Sequence, residues 1–480
     1  MVFSSFTYLL FFCIVGLFMA ITKLRFLKDR FEEKSLRTFR HIILLIASYV
    51  FYGWWDWRFC FLMIVLTYIS YISAKKISQN GKYVRLFKII GIVIPLVVLG
   101  IFKYFNFFVD SFCELFGIKG YSTLNIILPV GISFYTFQSM SYTIDVIRKK
   151  IPASGFLEVS LYVAFFPQLV AGPIVKAQEF IPQLKEERNI SFKNLEKGLQ
   201  IFLIGLFKKI VIADNLSVFV DQVFEKPAAF HSITVFLAVL SYSIQIYFDF
   251  SGYSDMAIGS AKCLGYDFNK NFNIPYIANN VSEFWKRWHI SLSTWLQEYL
   301  YIPLGGNRKG KIRTYFNLLA TMVIGGLWHG ASWNFVIWGA LHGLALCVHK
   351  IFASFNKSKR KNILASLFSI FITYLFVCVC WVPFRSTSTT VTFEILKRMF
   401  TWENGILHVY TWTIIAFVLL LVSTLIAAFN SRKNNSTTIS GFYPILNLSK
   451  FISWLFVFLF IEIIIGLAYT NSNPFIYFQF

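Results

Sequence analysis

Apolar runs long enough to cross a bilayer recur along this chain and constrain its fold more than any other feature. A helix needs about 20 predominantly apolar residues to traverse the hydrocarbon core. Such stretches lie near 6–22, 41–57, 59–74, 89–109 and 124–147, then near 199–220, 231–250, 363–384, 410–429 and 451–470. Of the 480 residues, 57% are apolar and only 14% charged, against roughly 25% charged in a soluble domain. The expectation is one all-α integral membrane domain over 1–480, a multi-span bundle of about 10–12 crossings with no soluble domain. Residues 156–175 carry Pro167 and Gly172-Pro173. That stretch is expected to be a broken or re-entrant helix, tolerated at depth only where protein or water surrounds it.

The net charge of +22 raises the question of nucleic acid. Its distribution excludes that reading, because the basic residues cluster between apolar runs. Residues 23–40 hold seven Lys/Arg against three Asp/Glu, and 75–88 and 350–361 hold five each against none. Such clusters belong beside the anionic cytoplasmic leaflet, so membrane lipid is the partner they predict. Both termini then fall outside the cell membrane. No basic residue precedes the first apolar run, and Lys23, Arg25, Lys28 and Arg30 follow it. This pattern predicts a retained first helix and not a cleaved signal. The seven cysteines lie mostly within apolar runs without metal-type spacing and read as packing residues. No metal site is expected.

Residues 268–348 carry the densest chemistry. The segment 283–300, EFWKRWHISLSTWLQEYL, has helical periodicity but is too polar to span lipid. On one continuous helix Trp285, Trp288, Leu292, Trp295 and Tyr299 share a face. Lys286, His289, Ser293 and Gln297 gather roughly opposite, predicting an interfacial helix or a cavity wall. Pro303 and Gly305-Gly306 end it, and the basic run Arg308, Lys309, Lys311, Arg313 follows. An apolar segment over 315–327 is expected to close at Gly325-Gly326. Trp328-His329-Gly330 then sits in a break, Ser332 caps the next helix, and 315–348 forms a hairpin with His329 at its tip.

Ionisable residues at membrane depth are functional candidates by default. His329 leads, because an imidazole titrates near neutral pH and its glycine neighbours permit close approach of a ligand. A structural histidine in the turn is the plain alternative. His289 reads equally well as a solvated interfacial side chain. His342, thirteen residues past His329, would be about 20 Å along a continuous helix, and reads with His349 as structural. Asp249 and Asp255 end an apolar run; orienting a base is one reading of them, and anchoring a turn at Gly252 is the one expected. Lys208-Lys209 with Asp214 predicts a buried charge network or a snorkelling pair.

Several segments are together similar to one family. Trp288-His-Ile-Ser-Leu-Ser-Thr-Trp-Leu296, Tyr301-Ile-Pro-Leu-Gly-Gly-Asn-Arg308 and Gly325-Gly-Leu-Trp-His-Gly-Ala-Ser-Trp333 resemble the membrane-bound O-acyltransferase signature. Phe166-Pro-Gln-Leu-Val-Ala-Gly-Pro-Ile174, the Tyr247–Asp255 stretch and the terminal Phe475-Ile-Tyr-Phe-Gln-Phe480 are most like its bacterial alginate O-acetylation branch. The resemblance implies that His329 is the family's invariant histidine and His289 its second signature position, which is asparagine in many relatives. It further implies helices around a central tunnel narrowing at a histidine. Acetyl transfer is implied, from cytoplasmic acetyl-CoA as donor substrate to a cell-surface or secreted polysaccharide of a bacterium. An extracytoplasmic acetyltransferase partner is implied as well. On that reading Lys286, Ser293, Gln297 and Arg308 line the donor entrance, while Asp249 and Asp255 are structural polar residues near the site. His329 acts as a general base or through a transient acyl-histidine. D-alanyl transfer to teichoic acid from a carrier protein is the alternative within the family. A transporter or a non-catalytic scaffold are the alternatives outside it.

Overall fold

In a computed structural model of the chain, the described residues are 1–170, 172–186, 188, 191–355, 363–433, 441 and 443–469. The terminal motif Phe475–Phe480, Ala171 and much of the 350–361 basic cluster lie outside them. Helices dominate, and the sole β pairing among the described residues is an isolated bridge between Phe230 and Ile406. Six described helices are long and apolar enough to cross a membrane: Arg58–Ser78, Val84–Leu115, Ser232–Cys263, Trp333–Phe355, Ile363–Arg385 and Thr411–Ser431. Two shorter apolar helices, Phe6–Ile21 and Phe451–Leu467, accompany them. Large apolar side chains such as Phe6, Leu17 and Leu367 are exposed on these helices, as expected of a surface whose solvent is lipid.

The chain folds as two compact units. The first comprises residues 1–202 and 255–269. Its opening helix is capped by Ser5, whose hydroxyl accepts from the Tyr8 N–H. Tyr8 is fully buried and hydrogen-bonds Ser260 Oγ at 2.6 Å. The centre of this unit is the helix Ile132–Ile147, almost every side chain of which is buried, polar ones included. A Cβ on Gly91 would lie 2.7 Å from Thr143 Cγ2 and 2.9 Å from Ser73 Cβ, so glycine is what lets three helices meet there. The expected span 124–147 begins late. Pro129 lacks a donor and Gly131 is left-handed at φ +72°, so helix starts only at Ile132. The break expected in 156–175 is present: Phe156–Ala164 stops at Phe165, and a single turn, Phe166–Leu169, follows, the chain being buried from Val159 onward through this turn.

The second unit comprises 203–254 and 270–480. The helix Ser232–Cys263 is longer than its expected span and runs through Gly252 without a turn. Gly252 is instead a packing position, where an added Cβ would lie 2.7 Å from the Gly205 carbonyl oxygen and 3.0 Å from Lys208 Cβ. Asp249 therefore anchors no turn. It pairs at 2.6 Å with Lys209, which also meets Asp214 at 2.8 Å, all three buried. This is the charge network expected around Lys209. The hairpin is formed by Lys311–His329 and Trp333–Phe355. Gly325-Gly326 does not end its first helix. An added Cβ on Gly326 would lie 2.2 Å from the Phe335 carbonyl oxygen, and one on Gly339 2.4 Å from that of Met322. Small residues thus bring the two backbones together, the usual way of packing helices in lipid.

Candidate active site

His289 is reached through a break in what the sequence presents as one helix. Val281–Arg287 is capped by Asn280, whose Oδ1 accepts from Glu283 N–H at 2.9 Å. Trp288 is then extended, and His289 stands at φ 42°, ψ 55°, after which Ile290–Leu296 resumes. A non-glycine residue in left-handed conformation costs about 1–2 kcal/mol, so something must hold it. The neighbouring segment 271–273 does so. Asn273 N–H donates to the Arg287 carbonyl at 2.9 Å, and Ile290 N–H donates to the Asn271 carbonyl at 2.9 Å. The Asn271 side-chain oxygen accepts from Ser291 N–H at 3.2 Å and Ser291 Oγ at 2.9 Å.

This break reorganises the expected polar face. His289 is fully buried, while Lys286 and Gln297 are exposed. Ser293 donates to the Trp288 carbonyl across the break. Arg308 is exposed beyond the π-helical end Gln297–Tyr301. A reversal of backbone handedness at one residue rotates everything after it, so the four do not line one stripe. Asp255 is buried and belongs to the first unit.

His329 is the last residue of Lys311–His329, and it too is buried. Its ring centroid lies 4.9 Å from Trp328, 5.0 Å from Trp338 and 5.1 Å from Phe384. Three helix ends therefore close around one imidazole. Gly330 serves this closure, because a Cβ there would lie 2.0 Å from Phe335 Cε2. The space beside Gly326 and Gly330 is thus filled by the protein's own Phe335 and is not an opening for a ligand. Trp328 joins the two histidines: its ring is 6.0 Å from His289 and 4.9 Å from His329. Residues forty apart in sequence share one indole. His342 is closer to this cluster than helix geometry alone suggested, since Trp338 contacts both His329 and His342 at 5.0 Å.

Phe250 and Phe272 complete the walls around His289, at 4.6 Å and 6.4 Å. Sequence reading missed Asn271 and Phe250. The polar tripeptide Asn271-Phe272-Asn273 just ahead of the tryptophan-rich segment was the available signal. Among the described residues no group of three His, Cys, Asp or Glu is placed to hold a metal ion.

Helices this apolar, with two buried imidazoles at helix breaks, define a multi-pass membrane protein with an internal polar site. Residues 3–382 match the model of the MBOAT, membrane-bound O-acyltransferase family, and the chain belongs to that family. It is an O-acyltransferase. It is 41% identical over 403 residues to a probable alginate O-acetylase AlgI of Pseudomonas aeruginosa, covering 82% of this chain and 76% of the relative. It is 40% identical over 390 residues to a peptidoglycan O-acetyltransferase of Helicobacter pylori, covering 75% and 74%. A teichoic acid D-alanyltransferase of Bacillus subtilis is 26% identical over 403 residues, covering 78% and 95%.

Proposed function

We propose that this enzyme moves an acetyl group from cytoplasmic acetyl-CoA toward the outer face of a bacterial cell membrane for O-acetylation of a cell-surface or secreted polysaccharide. The observation that carries the reading is the packing of His289 and His329 against the same Trp328 ring. In this mechanism His329 accepts the proton of an acceptor hydroxyl as its oxygen attacks the thioester carbon. The carbon–sulfur bond then breaks, and the imidazolium returns the proton to the departing thiolate. A positioned base of this kind contributes about 10²–10⁴ in rate. The 75–88 loop faces the cytoplasm, where Lys286 and Arg308 attract the phosphates of the donor. Both termini lie outside, and an extracytoplasmic acetyltransferase completes delivery to the glycan. The greater identity to relatives named as O-acetylases than to the one named as a D-alanyltransferase supports acetyl as the group.

The test is alkali-released acetate from surface glycan in a deletion strain carrying wild-type protein or His329→Ala. Acetate is expected to fall to the deletion background with His329→Ala while membrane protein stays at the wild-type level. Full acetate in that variant rejects the role of His329, and release of D-alanine in place of acetate rejects the acyl group.

A further inference from the structure

Asn271 is 1% exposed, and its side chain meets both the left-handed residue His289 and Ser291 just beyond it. Its orientation is not free. The Ser291 backbone N–H lies 3.2 Å from one amide atom and can only donate, so that atom is the oxygen Oδ1. Nδ2 correspondingly donates to Ser254 Oγ at 3.1 Å. The His289 Nδ1 atom lies 3.2 Å from the same Oδ1. An oxygen that accepts cannot satisfy an imidazole lone pair, and Ser291 Oγ, 3.5 Å from Nδ1, spends its one proton on Oδ1 at 2.9 Å, so Nδ1 carries the proton. A neutral imidazole has one proton, and its lone pair is then on Nε2, which is buried without a hydrogen-bond partner among the described residues.

We propose that Asn271 is a positioning residue that holds His289 as the Nδ1–H tautomer, so that Nε2 is presented as an acceptor to the reacting groups. The inference rests on the acyl-transfer reading above and deepens it. Among the described residues, the ring contacts of His289 are all with uncharged side chains. The helix Ser232–Cys263 presents Phe250, its neighbouring Asp249 being paired with Lys209. The segment at 271–273 presents Asn271 and Phe272. Lys311–His329 presents Trp328, with His329 beside it as the titratable neighbour. On its own segment Arg287 is paired with Glu283. The orienting group is therefore a neutral amide, which fixes the tautomer without stabilising the imidazolium.

Membranes of the deletion strain, carrying each full-length variant and supplied with radiolabelled acetyl-CoA, report ester-linked acetate formed on their own glycan. Asn271→Ala is expected to lower the maximal rate by at least about tenfold with little change in KM for acetyl-CoA. In the His289→Ala background, Asn271→Ala is expected to lower the rate per folded protein no further, since its effect on the reaction runs through the imidazole, while loss of its bonds to Ser291 is read separately as the amount of protein in the membrane. Asn271→Asp keeps the acceptor but adds a charge that favours the imidazolium. It is expected to retain activity at alkaline pH, with the acid limb of the pH profile moved to higher pH. Independent losses in the double variant, or an Asn271→Asp profile superimposable on wild type, overturn the proposal. Should Asn271→Ala fail to accumulate, the Asn271→Asp profile alone decides. Full activity of His289→Ala alongside an inactive His329→Ala removes any role for His289, and the inference with it. No incorporation from acetyl-CoA by wild type rejects the donor instead.

Discussion

The two histidine-bearing breaks in the second unit are built in opposite ways. At Trp288-His289 the backbone turns left-handed on a residue that resists it, and hydrogen bonds from 271–273 hold it there. At His329-Gly330 the backbone is extended, and glycine lets the Phe335 ring cover the turn while Trp338 and Phe384 close on the imidazole. One break is held by polar pairing and the other by packing. Hydrogen bonds fix orientation atom by atom, which suits a residue whose tautomer matters. Rings fix position and exclude water, which strengthens electrostatics within.

The most severe way to break this comparison is to add a methyl group at the packed tip. Gly330→Ala and Gly326→Ala are both expected to leave little folded protein in the membrane, as measured by size-exclusion profile in detergent. They differ in rescue. Gly330→Ala collides with the Phe335 side chain, so adding Phe335→Ala is expected to restore folding. Gly326→Ala meets the Phe335 carbonyl, which no side-chain change removes. Equal rescue of both would show that the tip is not held by packing in this way.

A smaller effect sharpens the other break. Replacement of His289 by Gly, Asn and Val removes the imidazole in every case but asks different things of the backbone. Glycine and asparagine adopt the left-handed region readily, and a β-branched residue does not. His289→Val is expected to be less stable than His289→Asn by about 1–2 kcal/mol, read as a drop in thermal midpoint. The same pair of substitutions at His329, the last residue of a helix, is expected to lack that backbone difference. Equal midpoints at 289 would remove strain from the account of that break.

The smallest expected effect concerns the exposed charges. Reversal at Lys286 and Arg308 together is expected to raise the apparent KM for acetyl-CoA several-fold, with kcat nearly unchanged. Salt screens such attraction over about 8–10 Å at physiological strength, so the difference from wild type should shrink as salt rises. Kinetics in neutral detergent, free of anionic lipid, measure this directly, and an unchanged KM rejects a donor-entrance role for both residues.

Hydropathy and glycine spacing alone determined that the chain is a helical membrane protein, that 156–175 is broken, and that His329 lies at the tip of a hairpin. These are local properties: solvent demands an apolar run of a given length, and a helix ends where its residues cannot continue it. The same local reasoning placed a continuous helix over 283–300, a turn at Gly252 and a helix from 124. The first two failed where a partner distant in sequence intervened, and the third at Pro129 and left-handed Gly131 within the segment itself. Asn271 and Asn273 stabilise the break at His289, and close contact with Gly205 and Lys208 explains Gly252. Tertiary structure alone decided that His289 and His329 meet on Trp328, and that an amide eighteen residues away in sequence sets the proton on Nδ1. Periodicity reports which face of a helix is apolar. Which two faces share a ring, and which oxygen meets which nitrogen, depends on contacts that exist only once the chain has packed.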